Sequence, residues 1–359
     1  MYPLLEINLD KIKENSASMN KKLNSMGLRV CGVIKVSDGD CNVAEAYRTG
    51  GCDQIGSSRI IHLKDIKERF PETQTLLVRI PMECEIEDVV AYADISLNSE
   101  EKTLRLLSCE AVNQCRQHSV IIMLDCGDRR EGVTNYNDLI SLCVLSEELP
   151  GIKLLGIGTN WGCVGGVFPD KEKLNYFAEV CEHVEKALGH KLEIISGGNS
   201  AVLPWIYEGK KLPPQINHLR IGGTIADPIT IKLNRNLDLD GASYDTFCLK
   251  AQISEIKIKP SGIKSETSEN WNGAAVVFED KGLRKRAIIN VGGADIGECS
   301  NLIPLDSQIE IIACSSDHTV IDITDCDCIY RVGDVVPFYM KYSALLYAFG
   351  SRHVNRSYK

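Results

Sequence analysis

Residues Leu28–Lys35 read Leu-Arg-Val-Cys-Gly-Val-Ile-Lys, a short, mostly apolar run that closes on a lysine and runs into Val-Ser-Asp-Gly-Asp. A continuous rather than alternating apolar run suits a strand covered on both faces, as in a parallel sheet. The glycine-bearing turn after it leads into a helical pattern over Val43–Thr49. The same unit then recurs down the chain. Further apolar runs lie at Cys52–Ser57, Thr75–Ile80, Ala93–Asn98, Ser119–Asp125, Leu154–Asn160, Leu192–Gly197 and His218–Gly222. Helix-period stretches separate them at Ser58–Phe70, Ile86–Tyr92, Glu100–Gln117, Tyr136–Glu148, Asp170–Leu188 and Ser200–Tyr207, several opening on a capping residue such as Asp170 or Ser99. Eight strands in alternation with helices count out a (β/α)8 TIM-type barrel, with a doubly wound open sheet as the structural alternative. A helix over Leu9–Leu23 precedes the first strand.

Beyond Thr230 the rhythm stops. Phe247–Ile258, Ala274–Phe278, Arg286–Val291, Gln308–Cys314, Thr319–Thr324 and Val335–Tyr339 read as strands between Gly, Asp and Pro turns, with a helix at Ser343–Phe349. The expected organisation is α/β: a barrel over 1–232, then a mainly β domain over 233–359. A chain of 359 residues is long enough for two domains.

Composition narrows the partners. With 40 Lys+Arg against 49 Asp+Glu the net charge is −9, which argues against nucleic acid, because phosphate binding needs a basic footprint. No secretory signal pattern opens the chain and no 18-residue apolar run crosses it, so a cytoplasmic protein without a membrane span is expected. Fifteen scattered cysteines suit reduced thiols. Cys326-Asp327-Cys328 could form half of a metal site, but no second Cys/His pair at ligand spacing accompanies it, and no metal is expected.

In a barrel the C-terminal strand ends face the active site. Those ends carry Lys35, Ser57, Arg79, Asn98, Asp125 to Arg130, Asn160, Ser196 to Ser200 and Arg220 to Thr224. A lysine facing the mouth is partly desolvated, which lowers its pKa and frees its lone pair for carbonyl attack. A surface lysine snorkelling from a strand end fits the position equally well. The choice turns on strands seven and eight, which end in Ser196-Gly-Gly-Asn-Ser200 and Ile221-Gly-Gly-Thr224. These are the loops in which barrels commonly bind phosphate. A lysine opposite a phosphate site implies pyridoxal 5′-phosphate.

At these residues the chain resembles the alanine racemase fold, a pyridoxal phosphate barrel followed by a β-domain, and within it the ornithine racemase-like branch. The likeness rests on Val33-Ile34-Lys35, Asp94–Ser99, Asp125 with Arg129-Arg130-Glu131-Gly132, Gly156–Asn160, Ile194–Ser200, Leu219–Gly222, Ser315-Ser316-Asp317-His318 and Ile321-Asp322. It implies a Schiff base on Lys35, which is also one of two acid/base groups. It further implies a phosphate held by Ser200, Gly222 and Gly223, and Arg220 donating to the pyridine nitrogen. Arg130 would orient the phenolate side of the cofactor or the substrate carboxylate, with an ion pair to Asp125 or Asp128 inside its loop as the structural alternative. Asn160, Ser196, Asn199 and Thr224 complete the expected cofactor set.

The resemblance implies a homodimer with shared active sites and an amino acid substrate, ornithine or a similar one. The second acid/base is open, because Gly292-Gly293-Ala294-Asp295 lacks the tyrosine of the alanine racemases. Other departures fall at Gly39, Val164 and Gly223, and at Asp227-Pro228. His318 is the candidate base, with Asp295 also possible, and Cys163, Asp317 and Tyr342 are candidate substrate contacts. Decarboxylation or elimination on the same cofactor, and cofactor binding without catalysis, are the alternatives.

Overall fold

The computed structural model describes residues 1–263, 273 and 278–359. The chain divides into two compact units, one formed by Ile12–Ser243 and the other by Met1–Lys11 together with Tyr244–Lys359. The expected boundary at 232/233 therefore moves to Ser243, and the first residues leave the barrel. The reason is strand β1 (Leu4–Ile7), whose backbone pairs with sequence from the far end of the chain.

Helix α1 (Leu9–Asn24) leads into the barrel unit. Its strands are β2 (Arg29–Val33), β3 (Gln54–Ser57), β4 (Thr75–Leu77), β5 (Ile95–Asn98), β6 (His118–Met123), β7 (Ile152–Gly158), β8 (Ile194–Asn199) and β9 (His218–Ile221). They close as a parallel barrel in sequence order, β9 pairing back onto β2 with Cys31 opposite Arg220. Helices α2 (Cys41–Thr49), α3 (Ile60–Arg69), α4 (Ile86–Tyr92), α5 (Glu101–Asn113), α6 (Tyr136–Glu148), α7 (Lys171–Leu188) and α8 (Leu203–Tyr207) alternate with them. After β9 come the short α9 (Gly223–Ala226) and α10 (Pro228–Arg235), neither of them expected.

Local chemistry explains the helix placements. Asp170 caps α7 by accepting from the Lys173 amide at 2.9 Å, and Leu174, Phe177, Ala178, Cys181 and Val184 form its buried stripe at helical spacing. Part of the barrel interior is apolar: Val33, Leu76, Ile95, Leu97, Ile121, Met123 and Ile194 pack as one buried cluster. Full burial of such side chains stabilises by about 1.5–3 kcal/mol each.

The other unit is a mostly antiparallel sheet. Its strands are β10 (Phe247–Pro260), β11 (Leu283–Ile289), β12 (Leu302–Pro304), β13 (Glu310–Cys314), β14 (Thr319–Asp322), β15 (Val335–Met340) and β16 (Asn355–Tyr358), with α11 (Gly293–Ile296) and α12 (Tyr342–Gly350). The sheet order is β12-β15-β10-β11-β14-β13, and β1 adds antiparallel to β10 and parallel to β16. The expected strand Ala274–Phe278 lies, except for Phe278, outside the described residues.

Candidate active site at the mouth of the barrel

The strand that was expected to end on Lys35 ends instead at Val33, and Lys35 sits in a 3-10 turn over Ile34–Ser37. The turn tightens through Asp38 in the left-handed region and Gly39 at φ +77°, with the Gly39 amide donating to Ile34 O at 3.3 Å. Gly39 marks a departure noted in the sequence, and packing accounts for it. A Cβ there would stand 2.4 Å from the His62 ring, which fills the space under the turn. His62 is held by Ser57 Oγ at 2.9 Å and by Asp38 at 3.4 Å.

Lys35 is half-buried, and its amine has no ion pair or hydrogen bond among the described residues. Burial pushes its pKa below the usual ammonium range; Arg130 and Arg220 push the same way, while Cys163 and Glu131 act against them. All four of these residues therefore act on Lys35 from the same mouth.

Arg220 projects from β9 and is 4% exposed. Its guanidinium donates to Ser196 Oγ, to Thr159 O at 2.7 Å and to Asn160 Oδ1 at 3.4 Å. No carboxylate lies within ion-pair distance of it among the described residues. Burial lowers its pKa to about 10, so it stays charged at neutral pH.

Arg130 was open to pairing with Asp125 or Asp128. It pairs instead with its neighbour Glu131, Nε and Nη2 both donating to the carboxylate. Asp125 accepts the amides of Gly127 and Arg129 at 2.8 and 3.1 Å. Asp128, 2% exposed, accepts the Cys163 amide at 3.0 Å. Cys163 Sγ in turn lies 3.3 Å from Asn160 Nδ2 and 3.4 Å from Asn199 Nδ2. Asn199 also donates to Asn160 Oδ1 and Trp161 O, at 2.9 and 2.7 Å. Ser196 and Asn199 are thus engaged by protein groups, and they bear on the site through Arg220 and the Asn160–Cys163 loop.

The two glycine turns come together. The Gly222 amide donates to Ser200 Oγ at 3.3 Å. Tyr47, fully buried on α2, donates to Gly222 O at 3.0 Å and accepts from the Ala226 amide at 3.1 Å. Gly223 and Thr224 lie in the turn of α9 that Tyr47 clamps. Tyr47 escaped sequence reading because it sits mid-helix in an ordinary apolar stripe.

The donor set fits pyridoxal phosphate. Among the described residues, Lys35 supplies an unpaired, desolvated amine and Arg220 a buried donor without a carboxylate partner; Ser200 and Gly222 supply adjacent hydroxyl and amide groups. Among the described residues no group of His, Cys, Asp and Glu is placed to hold a metal, Cys326-Asp327-Cys328 included.

His318, Asp317 and Tyr342 belong to the sheet unit. The exposed turn Ser315–His318 packs on Gly292–Ala294 through the Gly293 and Ala294 amides, which donate to Ser315 O and Ser316 O at 2.8 and 2.9 Å. A Cβ on Gly292 would approach the His318 amide nitrogen to 2.5 Å, so the close approach requires glycine. Asp317 accepts from Ser316 Oγ at 2.7 Å. The His318 ring is without a hydrogen bond among the described residues, whereas Asp295 is buried and accepts from Ser351 Oγ at 2.7 Å. Tyr342 is the first residue of α12.

Comparison with known proteins follows the same outline. The family description "Alanine racemase, N-terminal domain" matches residues 7–226. The chain is 36% identical to ornithine racemase from Acetoanaerobium sticklandii over 99% of both chains. It is also 36% identical to lysine racemase from Thermotoga maritima, over 100% of this chain and 99% of that one. Among solved structures, alanine racemase from Streptomyces lavendulae superposes with a TM-score of 0.76 at 15% identity, covering 99% of this chain and 96% of the other.

Proposed function

This chain belongs to the alanine racemase family, and we propose on that footing that it is a pyridoxal phosphate-dependent racemase of ornithine, lysine or a closely similar amino acid. The observation that carries this reading is the pairing in one barrel mouth of desolvated Lys35, unpartnered among the described residues, with buried Arg220, which has no carboxylate partner among them. The two curated relatives act on amino acids with a second amine, which supports that substrate class.

When bound, pyridoxal phosphate supplies an aldehyde that condenses with amines and an electron sink for charge developing at the α-carbon. Lys35 Nζ would hold the cofactor and, once displaced by the substrate amine, exchange the α-proton on one face. Burial, which lowers its pKa, favours the neutral amine that such an exchange needs. Arg220 can only donate, so it would hold the ring nitrogen without giving it a proton. That would limit electron withdrawal and favour return of the α-proton over further chemistry.

Ser200 Oγ and the Gly222 and Gly223 amides would hold the phosphate, with Tyr47 keeping their loop in place. Arg130, held by Glu131, would face the substrate carboxylate or the cofactor's phenolate oxygen. On the other face, His318 is the proposed proton carrier, an imidazole whose ring is uncommitted. A homodimer would bring that group to the site, with Asp317, Tyr342 and Cys163 as substrate contacts. None of the fifteen cysteines is in a disulfide, which supports a reducing, cytoplasmic setting. No helix among the described residues is long and apolar enough to cross a membrane.

The test is α-proton exchange in deuterated water over a panel of amino acids with cofactor added. Incorporation with loss of stereochemistry is expected on ornithine or lysine, and none with Lys35→Ala. Carbon dioxide or ammonia release, or exchange undiminished in Lys35→Ala, would overturn the reading.

A further inference from the structure

The barrel interior holds a line of polar side chains behind Arg220 that the reaction does not itself require. Ser196 Oγ, which accepts from Arg220 Nη1, lies 2.8 Å from His218 Nδ1. His218 Nε2 lies 3.0 Å from Gln54 Oε1, and Gln54 Nε2 donates to Gln74 Oε1 at 2.8 Å. Ser196, His218 and Gln54 are 0%, 0% and 2% exposed, while Gln74 is exposed. His218 and Gln54 are the first residues of β9 and β3, and Gln74 immediately precedes β4. The line therefore descends from the mouth to the N-terminal rim of the barrel.

Its polarity follows from the donor inventory. A guanidinium only donates, so Ser196 Oγ must accept from it, and the single Ser196 hydrogen is then free for His218 Nδ1. An imidazole that accepts at Nδ1 carries its proton on Nε2, which donates to Gln54 Oε1. The Gln54 amide then donates onward to Gln74. Every group is used in one direction, with the acceptor end of each dipole turned toward the buried cation. Such a chain can stabilise a charge in a low-dielectric interior as a carboxylate would, yet without neutralising it.

We propose that Gln54 and His218 are positioning residues: the directed chain Arg220–Ser196–His218–Gln54–Gln74 holds Arg220 charged and aimed at the mouth in place of a carboxylate partner. Its link to catalysis rests on the function proposed above, but the chain itself can be tested without cofactor. The charges acting on His218 are those of Arg220 and Arg29, and with burial they keep its imidazole neutral across the working pH range.

Wild type and two Gln54 variants test it, with His218→Asn for signal assignment. In the apo wild type, nitrogen NMR of labelled histidine, assigned by loss of one signal in His218→Asn, is expected to show His218 as the neutral Nε2–H tautomer from pH 5 to 9. Gln54→Leu removes the acceptor. With pyridoxal 5′-phosphate added, folded Gln54→Leu is expected to show a displaced cofactor absorption maximum. Its kcat should fall about 10–100-fold, the scale seen when a group that orients another from behind is lost, with KM within about twofold. Gln54→Glu places a carboxylate against Nε2, which favours imidazolium and turns an Nδ1 hydrogen toward Ser196. Its absorption maximum is therefore expected to become pH-dependent, approaching wild type at high pH.

A purely structural role would lower Tm in both variants and leave the absorption and its pH dependence unchanged; that result overturns the proposal, as does an Nδ1–H tautomer in wild type. If Gln54→Leu does not fold, Gln54→Glu and the wild-type tautomer decide. If wild type shows the expected tautomer but binds no cofactor, the functional reading fails and the chain stands.

Discussion

The two sides of the barrel interior are built from opposite chemistry. On β5 and β6, Ile95, Leu97, Ile121 and Met123 are 0–1% exposed and pack on one another. On β3, β8 and β9, the equally buried Gln54, Ser196, His218 and Arg220 fill the space with hydrogen bonds instead. The apolar side stabilises the fold and offers no chemistry. The polar side buries a guanidinium without a carboxylate, which costs stability unless dipoles compensate it. It lies below the loops that carry Ser200 and Gly222, so the sector that holds the buried charge is the one that addresses the mouth.

Substitutions should separate the two sides. The largest effect is expected on the polar one: Arg220→Leu should lower kcat/KM by about 100-fold or more, on the scale of losing a preorganised donor, without lowering Tm. A fall in Tm with kcat/KM preserved would reverse the assignment of roles. On the apolar side Leu97→Ala should cost about 2–5 kcal/mol in denaturant unfolding, with kcat per folded molecule nearly unchanged.

Asp227, 3% exposed after β9, gives a pH-dependent intermediate case. Burial raises its pKa from the ordinary 3.8 to about 7, opposed only by Thr230. A carboxyl with a raised folded-state pKa holds its proton more tightly when folded. Its favourable contribution is therefore complete below pH 3.8 and is lost as pH rises toward 7. Asp227→Asn, which does not titrate, should gain stability relative to wild type between pH 4 and 8, by a few kcal/mol at most at about 1.4 kcal/mol per pKa unit. A constant difference across that range would show that Asp227 does not titrate there. The smallest effect belongs to the exposed Arg105–Glu101 pair on α5. Glu101→Ala should change stability by no more than about 0.5 kcal/mol.

The apolar side was the more legible in the sequence. Continuous runs such as Ser119–Asp125 mark doubly covered strands, and all eight barrel strands lie where those runs fall. Lys35 and the two glycine turns stood out in the sequence because the loops after barrel strands are where a site is expected. The polar chain was not, since it joins His218, Gln54 and Gln74 across strands, and pairings of that kind depend on register that periodicity does not carry. Strand β1 was missed for a related reason. Leu4–Ile7 finds its partners at Phe247–Lys250 and Asn355–Tyr358, and nothing local announces so distant a pairing. For Arg130, read as a cofactor or substrate contact, the sequence pointed to Asp125 or Asp128 as the alternative partner, whereas Glu131 beside it supplies the bidentate geometry.

The central claim is that Lys35, by desolvation at the barrel mouth, is the one lysine that takes the cofactor. Incubating the protein with pyridoxal 5′-phosphate, reducing with borohydride and mapping peptides by mass spectrometry tests it directly. A single stoichiometric pyridoxyl adduct on the peptide carrying Lys35 is predicted, absent from Lys35→Ala. An adduct on another lysine, or none above the level of scattered surface labelling, would contradict it.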